Sequence, residues 1–134
     1  MILSNELRKG NCVNVNNSVA FIAQILWNRV EVEMKENDVT IYRDCDYDEI
    51  KPIELNADII LQCGFIKREQ FHFSDVYVSK NEDFIINQMR DSIEISFGLK
   101  GSFAIVCNRP INLHQLQNLY FALTREEITI QYLP

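Results

Sequence analysis

The densest run of groups able to bind a cation or move a proton is Asp44-Cys45-Asp46-Tyr47-Asp48-Glu49. Carboxylates at alternate positions are how a calcium loop begins, because a hard cation collects oxygen ligands from several closely spaced side chains. The rest of that pattern is absent. Its sixth position is Glu49 instead of Gly, and its twelfth is Leu55 instead of Glu. A solvated acidic loop is the expectation, with weak capture of a hard cation, or a small metal-dependent activity near Asp44–Glu49, as the alternative.

Thiol chemistry has four candidates, Cys12, Cys45, Cys63 and Cys107, and two possible bases, His72 and His114. No two cysteines form a C-x-x-C pair, and neither histidine lies near such a pair, so no zinc site is expected. A cysteine nucleophile needs an adjacent base. His72 sits between Phe71 and Phe73 on an expected strand and faces the opposite way, toward solvent. His114 falls in the first turn of an expected helix, where the positive end of the dipole lowers its pKa and suits a neutral hydrogen-bonding role. There is no glycine-rich phosphate cradle and no serine nucleophile elbow. The expectation is a protein without enzymatic activity and without a cofactor or metal.

Charge narrows the partners. The chain carries a net charge of -6. Between Glu31 and Glu49 there are eight acids and two bases, so that stretch alone accounts for -6; the other 11 acids and 11 bases cancel. Nucleic-acid binders need a basic stripe to replace phosphate counterions, and here the only adjacent basic pairs are Arg8-Lys9 and Lys67-Arg68. An acidic face suits a basic protein partner, mimicry of nucleic acid, or solubility.

The elements that must position these groups follow from pattern. At 134 residues, with 47% hydrophobic and 24% charged, the chain has the size and composition of one globular domain. A subdivision into a β-rich half, 1–53, and an α+β half, 54–134, is the alternative. No apolar run reaches membrane-spanning length, and Met1-Ile2-Leu3-Ser4-Asn5-Glu6 lacks the basic start and long apolar core of a signal peptide; a cytoplasmic location is expected. Val13 and Val15 start a strand, Asn16-Asn17-Ser18 turns, and Val19–Trp27 is rich in strand formers. Arg29–Met34 alternates, Asn37-Asp38 turns, and Val39–Tyr42 returns. Such a meander makes a small barrel-like or twisted sheet.

Asn56 caps a short helix that Gly64 stops. Strands are then expected at Phe71–Val78, Phe84–Met89, Ser92–Phe97 and Phe103–Cys107. The fold class is α+β: an N-terminal β-meander or barrel-like sheet, a short helix, an antiparallel meander, and a C-terminal helix with a closing strand at Glu127–Tyr132.

The last helix is the most fully specified. Asn112 is its N-cap, Gln115 completes a capping box, and Ile111 can staple to Leu116. Leu113, Leu116, Leu119, Tyr120 and Leu123 share one face at spacings of three and four. His114, Gln117, Asn118 and Phe121 form a second stripe. That stripe is either covered by the protein or offered to a partner, which makes these four residues candidate partner-binding positions alongside Asp44, Asp46, Asp48 and Glu49.

Three segments carry a resemblance. They are Glu6-Leu7-Arg8-Lys9-Gly10-Asn11, then Ile53-Glu54-Leu55-Asn56 with Ile59-Ile60-Leu61-Gln62-Cys63-Gly64-Phe65, and His114-Gln115-Leu116-Gln117-Asn118-Leu119-Tyr120-Phe121-Ala122-Leu123-Thr124 followed by Arg125-Glu126-Glu127-Ile128. In this order and over nearly the whole chain they resemble a family of small uncharacterised proteins of Bacteroidota phages, prophages and mobile elements. That family brings no activity to transfer. It places Gly where this chain has Arg125; if that position needs positive φ, arginine costs about 1 kcal/mol there.

The leading functional expectation is a non-enzymatic phage or mobile-element accessory protein that acts by binding a host protein, in one form inhibiting a host defence protein. Self-association into a homodimer is the other protein-binding form. The alternative from another class is a nucleic-acid-associated module that uses the β-rich half, with Trp27, Tyr42 and Tyr47 as stacking residues.

Overall fold

A computed structural model describes residue 2 and residues 4–71, 74–99 and 102–130. The class is α+β, with two antiparallel five-stranded sheets and two helices. The chain forms two compact units, Met1–Glu54 with Asn112–Leu119, and Leu55–Ile111 with Tyr120–Leu133.

The first unit holds β1 (Cys12–Val15), β2 (Ser18–Ile25), β3 (Val30–Glu36), β4 (Val39–Cys45) and β5 (Ile50–Lys51), in the order β4-β3-β2-β1-β5. Two of its hairpins close on two-residue turns in which both residues take positive φ: Asn16 and Asn17 at 50° and 66°, Asn37 and Asp38 at 53° and 65°. Asn and Asp tolerate that region, and its twist matches the flanking strands. One face of the sheet buries Val13, Val15, Ala20, Ile22, Val30, Val32, Cys45 and Ile50, packed with Ile2 and Leu7. The sheet is open, with β4 and β5 at its edges, so the barrel-like alternative is not adopted.

The second unit begins with α1 (Ala57–Gln62). The Asn56 side chain accepts the Ile59 N–H at 2.9 Å, and Gly64 takes φ +91° beyond the last turn, as the sequence led us to expect. Then follow β6 (Ile66–Phe71), β7 (Ser74–Val78), β8 (Phe84–Gln88), β9 (Ile93–Leu99) and β10 (Ser102–Cys107), paired in chain order from β6 to β10. The strand expected at Phe71–Val78 is in fact the end of one strand and all of the next. The missed strand, β6, has Ile66, Lys67 and Arg68 exposed, so it shows no apolar alternation. His72 lies outside the described residues. At Gly98 an added Cβ would overlap the backbone of Ser102 and Phe103, so the close approach of β10 to β9 needs glycine there. Phe65, Phe84 and Tyr120 form the centre of this core, with ring centroids 5.1 to 5.9 Å apart.

The second helix, α2 (Leu113–Thr124), contributes Leu113–Leu119 to the first unit and Tyr120–Thr124 to the second. Its start uses half of the expected capping box: the Gln115 side chain accepts the Asn112 N–H at 2.8 Å. The expected closing strand is corrected over its described part: Glu127 to Ile130 are irregular, although Ile128 is buried; Gln131 and Tyr132 lie outside the described residues. Alternation there reflects one inward side chain in an irregular segment. Among the described residues no helix is long and apolar enough to cross a membrane.

The helix ends on Arg125, which takes φ 64° while its N–H donates to the Phe121 carbonyl at 2.8 Å. A left-handed residue with a Cβ costs free energy that glycine avoids, partly offset by glycine's freer unfolded chain. Arg125→Gly is therefore expected to stabilise the protein by about 0.5–1 kcal/mol in urea unfolding. An unchanged or lower midpoint would show that the arginine side chain makes a compensating contact.

Candidate functional site

The polar residues of α2 were the first candidates, and the structure gives most of them internal work. The N-terminal segment turns on itself before β1: the Arg8 N–H donates to Asn11 Oδ1 at 2.6 Å, and the Asn11 N–H to the Arg8 carbonyl at 3.0 Å. Gly10, at φ +93°, lets the chain enter the sheet, where its N–H donates to the Ile22 carbonyl at 2.8 Å. Because β5 pairs only with Asn14 and Val15, the Gly10 carbonyl and Cys12 N–H have no strand beside them. Gln117 takes that place. Its Oε1 accepts the Cys12 N–H at 2.7 Å and its Nε2 donates to the Gly10 carbonyl at 3.1 Å, so a side-chain amide continues the ladder.

Asn118 completes the join. Its Oδ1 accepts from Asn11 Nδ2 at 2.8 Å and from Arg8 Nε at 3.2 Å, and its Nδ2 donates to the Glu6 carbonyl at 2.9 Å. Gln117 is 2% exposed and Asn11 and Cys12 0%, so the bonds to these three residues satisfy groups that water does not reach. The candidates Gln117 and Asn118 thus connect the start of the chain to its last helix, within the first unit. Phe121, the outermost member of the proposed stripe, is half-buried.

His114 is also 2% exposed, and neither ring nitrogen has a hydrogen-bond partner among the protein atoms. Burial lowers its pKa, and the Glu6 carboxylate opposes that in part. The direction is the one expected at this helix position, and burial is its first cause here. Of the thiols, Cys12, Cys45 and Cys63 are buried and Cys107 is half-buried, and burial pushes the Cys63 thiol up to about 12.

The acidic segment has a defined geometry. On the face of the first sheet opposite its core, Glu33 lies across from Tyr42, and Glu31 directly across from Asp44. Like charges in that relation destabilise a sheet by roughly 0.2–1 kcal/mol. Arg29 approaches Asp44 at 3.6 Å and Arg43 approaches Glu49 at 3.4 Å, both as exposed or half-exposed pairs of small worth. Asp46 and Asp48 are exposed beyond the end of β4. Among the described residues no three His, Cys, Asp or Glu side chains are placed to hold a metal ion together.

Beside these acids stand aromatic side chains in water. Trp27, on the connection from β2 to β3, is 92% exposed, and Tyr42 on edge strand β4 is 62% exposed. Tyr47 differs: its ring packs on the core, and its hydroxyl donates to the Leu26 carbonyl at 2.6 Å. In the second unit, edge strand β10 exposes every side chain from Ser102 to Val106, including Phe103, Ile105 and Val106. Sequence pattern missed this, because an uncharged Phe-Ala-Ile-Val run reads as a buried strand.

His114 sets a pH dependence. In the folded chain its imidazole holds a proton more weakly than in the unfolded chain, where it titrates near the ordinary 6.5. Its neutral form is accommodated fully above that value, and stability is lost as pH falls through and below it. Urea unfolding from about pH 7.5 to about pH 5.5 is expected to show a steeper loss for the natural protein than for His114→Gln, with the His72 contribution common to both. Equal slopes would mean that His114 is not held neutral by burial.

No family model, curated protein or solved structure matches the chain.

Proposed function

We propose that the protein is a non-enzymatic accessory protein of a phage or mobile element that acts by binding another protein, and that inhibition of a host defence protein is one form of this. The observation that supports the reading is the placement of large apolar side chains on sheet edges. Val39 and Tyr42 are exposed on β4, and Phe103, Ile105 and Val106 on β10. Exposed apolar edges are aggregation-prone unless something uses or guards them. The phage or mobile-element origin rests on the sequence resemblance alone.

Nucleic-acid association is the second reading, because the indole of Trp27 is free to stack on a base. Glu31, Glu33 and Asp44 on the neighbouring sheet face repel phosphates and count against it. A small metal-dependent activity at Asp44 to Glu49 would require Asp44 and Glu49 to leave their arginine partners.

Affinity capture from a bacterial host lysate tests the reading, comparing the natural chain with Trp27→Ala/Tyr42→Ala and with Ile105→Lys, each checked for an unchanged melt. A discrete protein captured by the natural chain and lost from one variant is expected. Capture of nothing above the bead control, or of nucleic acid that elutes with salt, would overturn it.

A further inference from the structure

β4 is the long edge of the first sheet. It pairs with β3 over all seven residues from Val39↔Glu36 to Cys45↔Val30 without a register shift, while the opposite edge, β5, has two residues. Proteins commonly guard such an edge with a bulge, a proline or a short strand, and β4 has none of these. Its side chains alternate between the two faces. Thr40, Tyr42 and Asp44 stand on the outer face with Glu31, Glu33 and Lys35, Asp44 in an exposed pair with Arg29, and Val39, Ile41 and Arg43 stand on the other.

We propose that the β4 edge takes a basic, extended polypeptide segment as an added strand, with Lys or Arg at alternate positions facing Asp44, Glu33 and Glu31. This rests on the protein-binding reading and supplies the partner's chemistry. Backbone groups of an added strand bond to the open edge, and alternate side chains read the face. Charge decides the occupant. Nucleic acid would bring phosphates toward Asp44, Glu33 and Glu31, whereas a basic strand relieves the repulsion between Glu31 and Asp44. Tyr42 offers its ring beside the incoming alkyl stems.

The probe is a capped peptide of about eight residues alternating Lys and Val, long enough to span β4. Two controls accompany it: Glu in place of Lys, and methylation of every backbone nitrogen, which keeps the side chains and the charge but cannot donate to a ladder. Trp27, the chain's single tryptophan, sits at the Asp44 end of the sheet through the Arg29 pair and reports binding by its fluorescence. Anisotropy of a labelled peptide reports it independently. At about 0.15 M salt, the Lys-Val peptide is expected to bind about tenfold more tightly than either control. Glu31→Gln/Asp44→Asn is expected to weaken binding by about tenfold while raising the melting temperature of the protein alone. No saturable binding, equal binding of the N-methylated peptide, or undiminished binding by the double variant would overturn the proposal. If the lysate capture still yields a partner, the protein-binding reading survives that failure; if both fail, it falls as well.

Discussion

The first unit depends on two side-chain amides. Gln117 occupies the place of a missing strand beside Gly10 and Cys12, and Asn118 holds Glu6, Arg8 and Asn11. The geometry is demanding because the sheet ends early on that side, where β5 contributes two residues. Without Gln117 the buried Cys12 N–H and the Gly10 carbonyl lose their partners together, and an unsatisfied buried group costs about 1–3 kcal/mol. In the fold Gln117 substitutes for a strand's backbone, and Asn118 ties down the chain's start beside it.

With the polar stripe of α2 absorbed, the groups left facing water are of another kind. They are acids and aromatics around β3 and β4, and an uncharged apolar edge at β10. Glu31 across from Asp44 works against the stability of the sheet that carries it. A charged edge discourages self-pairing, which lets a long regular edge stay open.

Local signals were legible in the sequence, and distant ones were not. Asn16-Asn17 and Asn37-Asp38 mark turns because these residues tolerate positive φ, and the structure places both turns there. Asn56 and Gly64 bracket α1 for equally local reasons. The join between the chain's start and α2 could not be read, because Gln117 finds Cys12 across 105 residues with no periodicity to announce it. The burial of His114 is one of the two outcomes that the sequence left open for its stripe. Edges were misread in both directions. Charged β6 hid as a loop, while uncharged β10 looked buried, since pattern reports burial and an edge position is a property of the assembled sheet. Of the candidate site residues, Asp44 and Glu49 occupy exposed or half-exposed ion pairs, Asp46 and Asp48 face water, and His114 and Gln117 lie inside.

Gln117 acts as a piece of the sheet. Native-state hydrogen exchange at the Cys12 amide, compared between the natural protein and Gln117→Met, tests it most directly, because methionine fills similar volume without the amide. The account predicts that protection at Cys12 collapses in the variant and that global stability falls by about 1–3 kcal/mol, with the β3 and β4 amides losing only that global amount. Undiminished protection at Cys12 would contradict it.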